Sequence, residues 1–123
     1  MSKDLSATGI KAFLKISRLW HLTIIDQCAI MCITIDELRR FNVDPDDVIL
    51  TEDQLNRASY VLGIYSALHI IFNDDFADEW IWRPNAGELF KDQPPVDLMC
   101  SRNIDDLKKI RNMLDVVCDG VYY

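Results

Sequence analysis

Three times in the first half of the chain a threonine stands three positions ahead of an acid or amide and opens an apolar run: Thr23 with Asp26, Thr34 with Glu37, and Thr51 with Gln54. In this pattern the hydroxyl accepts from the backbone N–H three residues on, and the later side chain reaches back to the cap's own N–H. Each pair thereby satisfies two donors that a helix start would otherwise leave orphaned. Thr23 and Thr34 are so close that the helix from Thr23 must end near Met31, and a tight turn follows. The helix from Thr51 is long, to about Ile71, with Leu55, Ala58, Leu62, Tyr65, Leu68 and Phe72 near helical spacing. Ahead of these, Ile10, Phe13, Leu14 and Ser17 follow i, i+3, i+4, i+7, while Lys11, Lys15 and Arg18 share another stripe. The period predicts a helix over about residues 8–20.

Helical signals continue to the C-terminal end. Asp74, Asp75, Asp78 and Glu79 suit the first turns of a helix, where the dipole favours negative charge, and Pro84 stops it. Residues 83–95 read as an ordered loop, because Leu89 and Phe90 are too apolar to stand in solvent without a partner. Pro95 opens a short helix through Met99. Asn103 with Asp106 caps a last helix, in which Ile104, Leu107, Ile110, Met113, Leu114 and Val117 keep the period until Gly120. Strand signals do not recur, so the expected fold is all-α. The segment from Asn42 to Leu50, rich in Asp and Asn and holding Pro45, is the expected joint between two helical units, residues 1–50 and 51–123.

Charge is uneven. Residues 1–50 carry 6 Lys/Arg against 7 Asp/Glu, and residues 51–123 carry 7 against 13. An acidic second part disfavours nonspecific contact with phosphate, which depends on basic side chains displacing counterions. Any nucleic-acid contact has to start in residues 1–25, where Lys3, Lys11, Lys15 and Arg18 face Asp4 alone. Apolar runs such as Ile70 to Phe72 fall far short of the roughly 18 residues a membrane span demands. The first residues lack the apolar stretch of a signal peptide, so a cytoplasmic location with reduced thiols and no membrane partner is expected.

The spacing of helix, turn and helix over residues 24–41 fits a helix-turn-helix, whose second helix offers its N-terminal side chains to the major groove. Two capped helices that simply pack have the same spacing. The groove-facing candidates are Thr34, Arg39 and Arg40; Asp36 and Glu37 would stand unfavourably near phosphates. Cys28 and Cys32 are four apart, but His21, Cys100 and Cys118 supply no second paired spacing, so buried thiols are a better reading than a metal site. His69, inside the long helix, has no nucleophile spaced to it. With no Gly-rich phosphate loop, no H-E-x-x-H and no triad context, neither catalytic residues nor a cofactor are expected. What remains is an aromatic and arginine-bearing stretch, residues 57–72, 77–85 and 90–99, of the kind that protein interfaces enrich.

Leu62-Gly63-Ile64-Tyr65-Ser66-Ala67-Leu68-His69, then Ala77 and Trp80, Pro84-Asn85, Pro95-Val96-Asp97-Leu98-Met99 and a final helix from Leu107 to Leu114 follow one another in this order. In this they resemble the toxin-binding domain of the Xre/MbcA/ParS antitoxins, over about residues 55–120. The first part is similar to that family's helix-turn-helix, with Trp20-His21-Leu22 in place of W-G-L. Cys32 stands where a turn glycine is usual, so the backbone there either avoids positive φ or accepts strain of about 1 kcal/mol or more. Lys91 and Asp92 replace the usual glycine after the loop phenylalanine. The resemblance implies a type II antitoxin that neutralises a RES-fold, NAD-consuming toxin by covering its active site. It also implies a homodimer that binds its own promoter DNA. The toxin-contact candidates are Trp80, Arg83, Pro84, Asn85 and Phe90, together with the tail residues Tyr122 and Tyr123. The rival reading is a DNA-binding autorepressor whose C-terminal half mainly dimerises.

Overall fold

Helix starts set the architecture. The computed structural model describes residues 3–120, with Lys3 in its backbone only, and is built from seven α-helices. They are α1 (Lys3–Leu19), α2 (Ile24–Met31), α3 (Ile35–Val43), α4 (Glu52–Ile71), α5 (Asp74–Glu79), α6 (Pro95–Met99) and α7 (Ile104–Cys118). Two 3-10 turns, Pro45–Asp47 and Trp80–Trp82, complete the described residues, which contain no strand. All three threonine capping boxes form: Thr23, Thr34 and Thr51 accept from the N–H of Asp26, Glu37 and Gln54 at 3.0–3.1 Å, and those side chains accept from the threonine N–H groups in return.

The long α4 is the axis on which the other elements pack, α7 most extensively and α1 next. Its buried side, with Ala58, Val61, Ile64, Ala67 and Leu68, meets Leu107, Ile110 and Leu114 of α7, Ile10 and Phe13 of α1 and Trp20 just beyond it in one continuous core. The segment Asn42 to Leu50 is drawn into that core. Its 3-10 turn packs on α1, Val48 and Leu50 are buried, and the Leu50 N–H donates to the fully buried Ser6 Oγ at 2.9 Å.

The expected helix over residues 8–20 begins earlier, at Lys3, because Ser6 and Ala7 find burial against this segment. Ser17, polar at a core position, donates to the Phe13 carbonyl at 2.8 Å, which is how a hydroxyl is accommodated inside a helix stripe. At Asn103 the cap differs from the expected box: the side chain accepts from the Asp105 N–H, while Asp106 accepts from Ser101 Oγ. The helix through Asp74–Glu79 also ends before Pro84 can act, passing into the 3-10 turn at Trp80.

Two helix ends close in the same way. After α1, His21 N–H donates to Arg18 O and Leu22 N–H to Ser17 O; after α2, Cys32 N–H donates to Ala29 O and Ile33 N–H to Cys28 O. These are Schellman motifs, and their left-handed positions are occupied by His21 (φ 57°) and Cys32 (φ 55°). The turn therefore accepts the strain. Replacing Cys32, which is exposed, with glycine removes the Cβ penalty without opening a cavity, so Cys32→Gly should raise stability by about 1 kcal/mol in urea unfolding.

Candidate functional site

The segment that follows α4 displays its side chains from a rigid support. Asn73 caps α5 by accepting from the Phe76 N–H. Phe76, Glu79 and Arg83 lie at helical spacing along one stripe that the 3-10 turn does not break, and Phe72, in extended backbone ahead of the Asn73 cap, packs against Phe76. The Phe72 and Phe76 ring centroids are 4.8 Å apart, the Arg83 guanidinium lies 5.0 Å above the Phe76 ring, and Arg83 Nη2 donates to Glu79 at 2.7 Å. Arg83 is thus exposed but held flat and pointed.

The two tryptophans divide their work. Trp80 is buried and meets Phe90 edge to face at 5.6 Å, so both of these expected contact residues hold the loop from within. Trp82 is 40 % exposed, and its Nε1 donates to the Trp20 carbonyl at 2.8 Å, tying the turn to the end of α1. Pro84 is exposed and Asn85 half-buried. The loop closes on itself: Asn85 N–H donates to Gln93 O, Asp92 N–H to Asn85 O, and Gly87 N–H to Asn85 Oδ1. Lys91 and Asp92 adopt φ of 52° and 67° to make the closure. Beside it, Ile71, Phe72, Asn85, Met113 and Val117 line an open groove between α4 and α7. Tyr122 and Tyr123 lie outside the described residues.

Sequence reasoning did not single out Phe76 and Glu79 as the supports of Arg83. The i, i+3, i+7 spacing from Phe76 through Glu79 to Arg83, read across Trp80 as if the helix continued, would have found them.

In the N-terminal pair the three groove candidates stand differently. The Thr34 hydroxyl is engaged in its capping box. Arg39 is exposed and paired with Asp36 at 3.1 Å, and Arg40 is exposed. Ile35 and Asp36 share the start of α3, and Ile24, Ile25 and Val43 are also exposed on this unit. Of the two thiols read as buried, only Cys28 is; Cys32 points to solvent because it is the left-handed residue closing α2.

Burial keeps the other thiols in their protonated form. Burial, then the carboxylate and negative field of Asp26, pushes the Cys100 thiol up to about 12, and burial also raises Cys28 and Cys118. All three remain protonated near neutrality. Among the described residues no group of three or more His, Cys, Asp or Glu side chains is arranged to hold a metal ion, and no helix is long and apolar enough to cross a membrane.

No family model matches the chain. It is 30% identical over 112 residues to the uncharacterized protein y4oB of Sinorhizobium fredii (strain NBRC 101917 / NGR234), covering 90% of this chain and 84% of that protein. The chain belongs to the y4oB family. The aligned length is too great for one of its helical halves alone to supply the similarity.

The tie from Trp82 to the end of α1 spans much of the sequence, and phenylalanine keeps an aromatic ring there but cannot donate. Trp82→Phe should cost about 1 kcal/mol of stability by urea unfolding, as loss of one hydrogen bond commonly does, with little change in helicity.

Proposed function

We propose that the chain is an antitoxin of a type II toxin-antitoxin system. In this reading its α5 to α6 segment docks on a RES-fold, NAD-consuming toxin and covers the active site. The observation that carries the reading is the backbone at the positions where the Xre/MbcA/ParS resemblance has glycine: His21, Cys32 and Lys91 all take positive φ. Side chains other than glycine, asparagine and aspartate rarely adopt it. A chance likeness of short motifs gives no reason for all three sites to demand the conformation that glycine supplies.

The display of Arg83, Pro84 and Asn85 supports the same reading. A loop fixed by Trp80 and Phe90 inside, and by its own backbone hydrogen bonds outside, loses little freedom on binding, so contact energy is not spent on ordering it. The negative charge of residues 51–123 complements a pocket built to hold the pyrophosphate of NAD. No catalytic role falls to this chain. The exposed Ile24, Ile25, Ile35 and Val43 of the N-terminal unit favour a homodimer, and Arg39 and Arg40 are the side chains through which that dimer would meet its promoter.

The test is NAD consumption by the toxin encoded beside this chain, titrated with the parent and with Arg83→Ala. Truncation of this anchor should weaken binding by about 1–3 kcal/mol with helicity unchanged. Inhibition by Arg83→Ala equal to that of the parent removes the loop from the interface, and an adjacent enzyme that consumes no NAD removes the reading.

The DNA-binding component is tested separately. Replacing Arg39 and Arg40 together with alanine should abolish retardation of promoter DNA while leaving the fold intact, since exposed charges carry little stability. Undiminished retardation would show that α3 is not the element in contact with DNA.

A further inference from the structure

His69 lies in the last turn of α4, and both of its ring nitrogens are engaged. Nδ1 is 2.8 Å from Asp74 Oδ1 and Nε2 is 2.8 Å from Asp78 Oδ1. A neutral imidazole has one N–H and one lone pair. Whichever tautomer is chosen, one of the two contacts then sets a lone pair against a carboxylate oxygen that has no proton to give. The imidazolium alone donates to both. The Tyr65 ring lies against the imidazole, centroids 4.2 Å apart, and the Trp20 ring, just past the end of α1, lies 5.9 Å from Tyr65.

We propose that His69 is a cationic clip: as an imidazolium it donates to Asp74 and Asp78 at once and fastens α5 to the end of α4, and loss of its proton releases α5. The inference concerns this chain alone and stands or falls apart from the toxin reading.

Short helices do not hold themselves in place, and α5 has six residues. Its position depends on the buried Ala77, the Phe72–Phe76 ring pair and the two His69 contacts. Because α5 runs directly into Trp80–Trp82 and Arg83, the clip also sits at the root of the displayed loop.

The titratable groups facing His69 are Asp74 and Asp78 from α5, which hydrogen-bond it, and Tyr65 from α4 itself, whose ring packs against it. From the turn after α1 comes the uncharged Trp20 ring, against Tyr65. Arg111 and Asp115 of α7, with Asp119 just past its end, line the opposite face of α4 along Ser59, Gly63, Ser66 and Ile70, away from the clip. Burial on its own lowers the histidine, but the hydrogen bonds and charges of Asp74 and Asp78 outweigh it, and the result is raised from 6.5. Burial and the same carboxylates raise the Tyr65 hydroxyl, so it stays neutral while His69 titrates. For a group raised in the folded state, the stabilisation is complete below the ordinary value and is lost as pH rises through the raised one.

The experiment is side-chain NMR of His69 in the full chain across about pH 5 to 9, with amide exchange of residues 74–79 followed in parallel and corrected for the intrinsic pH dependence. The His69 midpoint should lie above 6.5, with both ring nitrogens protonated below it. Protection of α5 should fall across that same midpoint, while α7 amides from Leu107 to Leu114 hold theirs. Asp78→Asn should bring the midpoint down toward 6.5, and His69→Gln, which hydrogen-bonds without titrating, should erase the step in α5 protection. A midpoint at or below 6.5 overturns the proposal. So does α5 protection that stays flat through the His69 titration, or a step that persists in His69→Gln.

Discussion

Arg57 holds the two ends of the sequence to the middle. Its guanidinium donates from Nη1 to the Ile30 carbonyl in α2 at 3.2 Å, from Nη2 to the Arg102 carbonyl ahead of α7 at 2.8 Å, and from Nε to Asp53 one turn back at 2.7 Å. Among the described residues it is the charged side chain that the fold buries, with 5 % of its surface left exposed. Removing a charge from water is costly, and the cost is offset only when its donors are matched. Here two of the acceptors are backbone carbonyls, which exist in the right place only when α2 and the Arg102 turn sit correctly on α4. The buried charge therefore favours one arrangement of these segments over looser packings that a purely apolar seam would tolerate. Midway along the α4–α7 seam the Arg111 side chain lies over Gly63, where the absence of a Cβ leaves room for it.

The part of the chain that we read as the interface is stiff for reasons that are each small. An aromatic pair lies inside the loop, a backbone ladder of two hydrogen bonds crosses its neck, an indole N–H reaches α1, and a guanidinium is sandwiched between a ring and a carboxylate. An inhibitor that acts by occlusion has use for such a loop, because it needs shape held in advance more than it needs chemistry.

Left-handed backbone is where sequence and structure are most visibly at odds. His21, Cys32, Lys91, Asp92 and Arg102 all take positive φ without being glycine. The first two close helices, and their Schellman hydrogen bonds give the strain a structural return by satisfying carbonyls at the helix ends. Lys91 and Asp92 turn the chain so that the neck of the loop can pair.

Helix starts were legible because a capping box is local: hydroxyl, carboxylate or amide and both N–H groups lie within one turn, so Thr23, Thr34 and Thr51 declare themselves whatever surrounds them. The all-α class follows from those caps and the 3.6-residue period, as do the limits of α2, the length of α4 and the short helix opened by Pro95. What tertiary structure alone decided is which side chains are inside and whom they meet. Trp80 is buried and Trp82 is half out, Ser6 and Ala7 extend α1, Cys32 faces solvent, and Arg57 reaches carbonyls 27 and 45 residues away. Periodicity assigns a residue to a face but not to a neighbour. The neighbours here are set by α1, α2, α5 and α7 closing on α4, and a contact between distant segments exists only after each has been placed by the others.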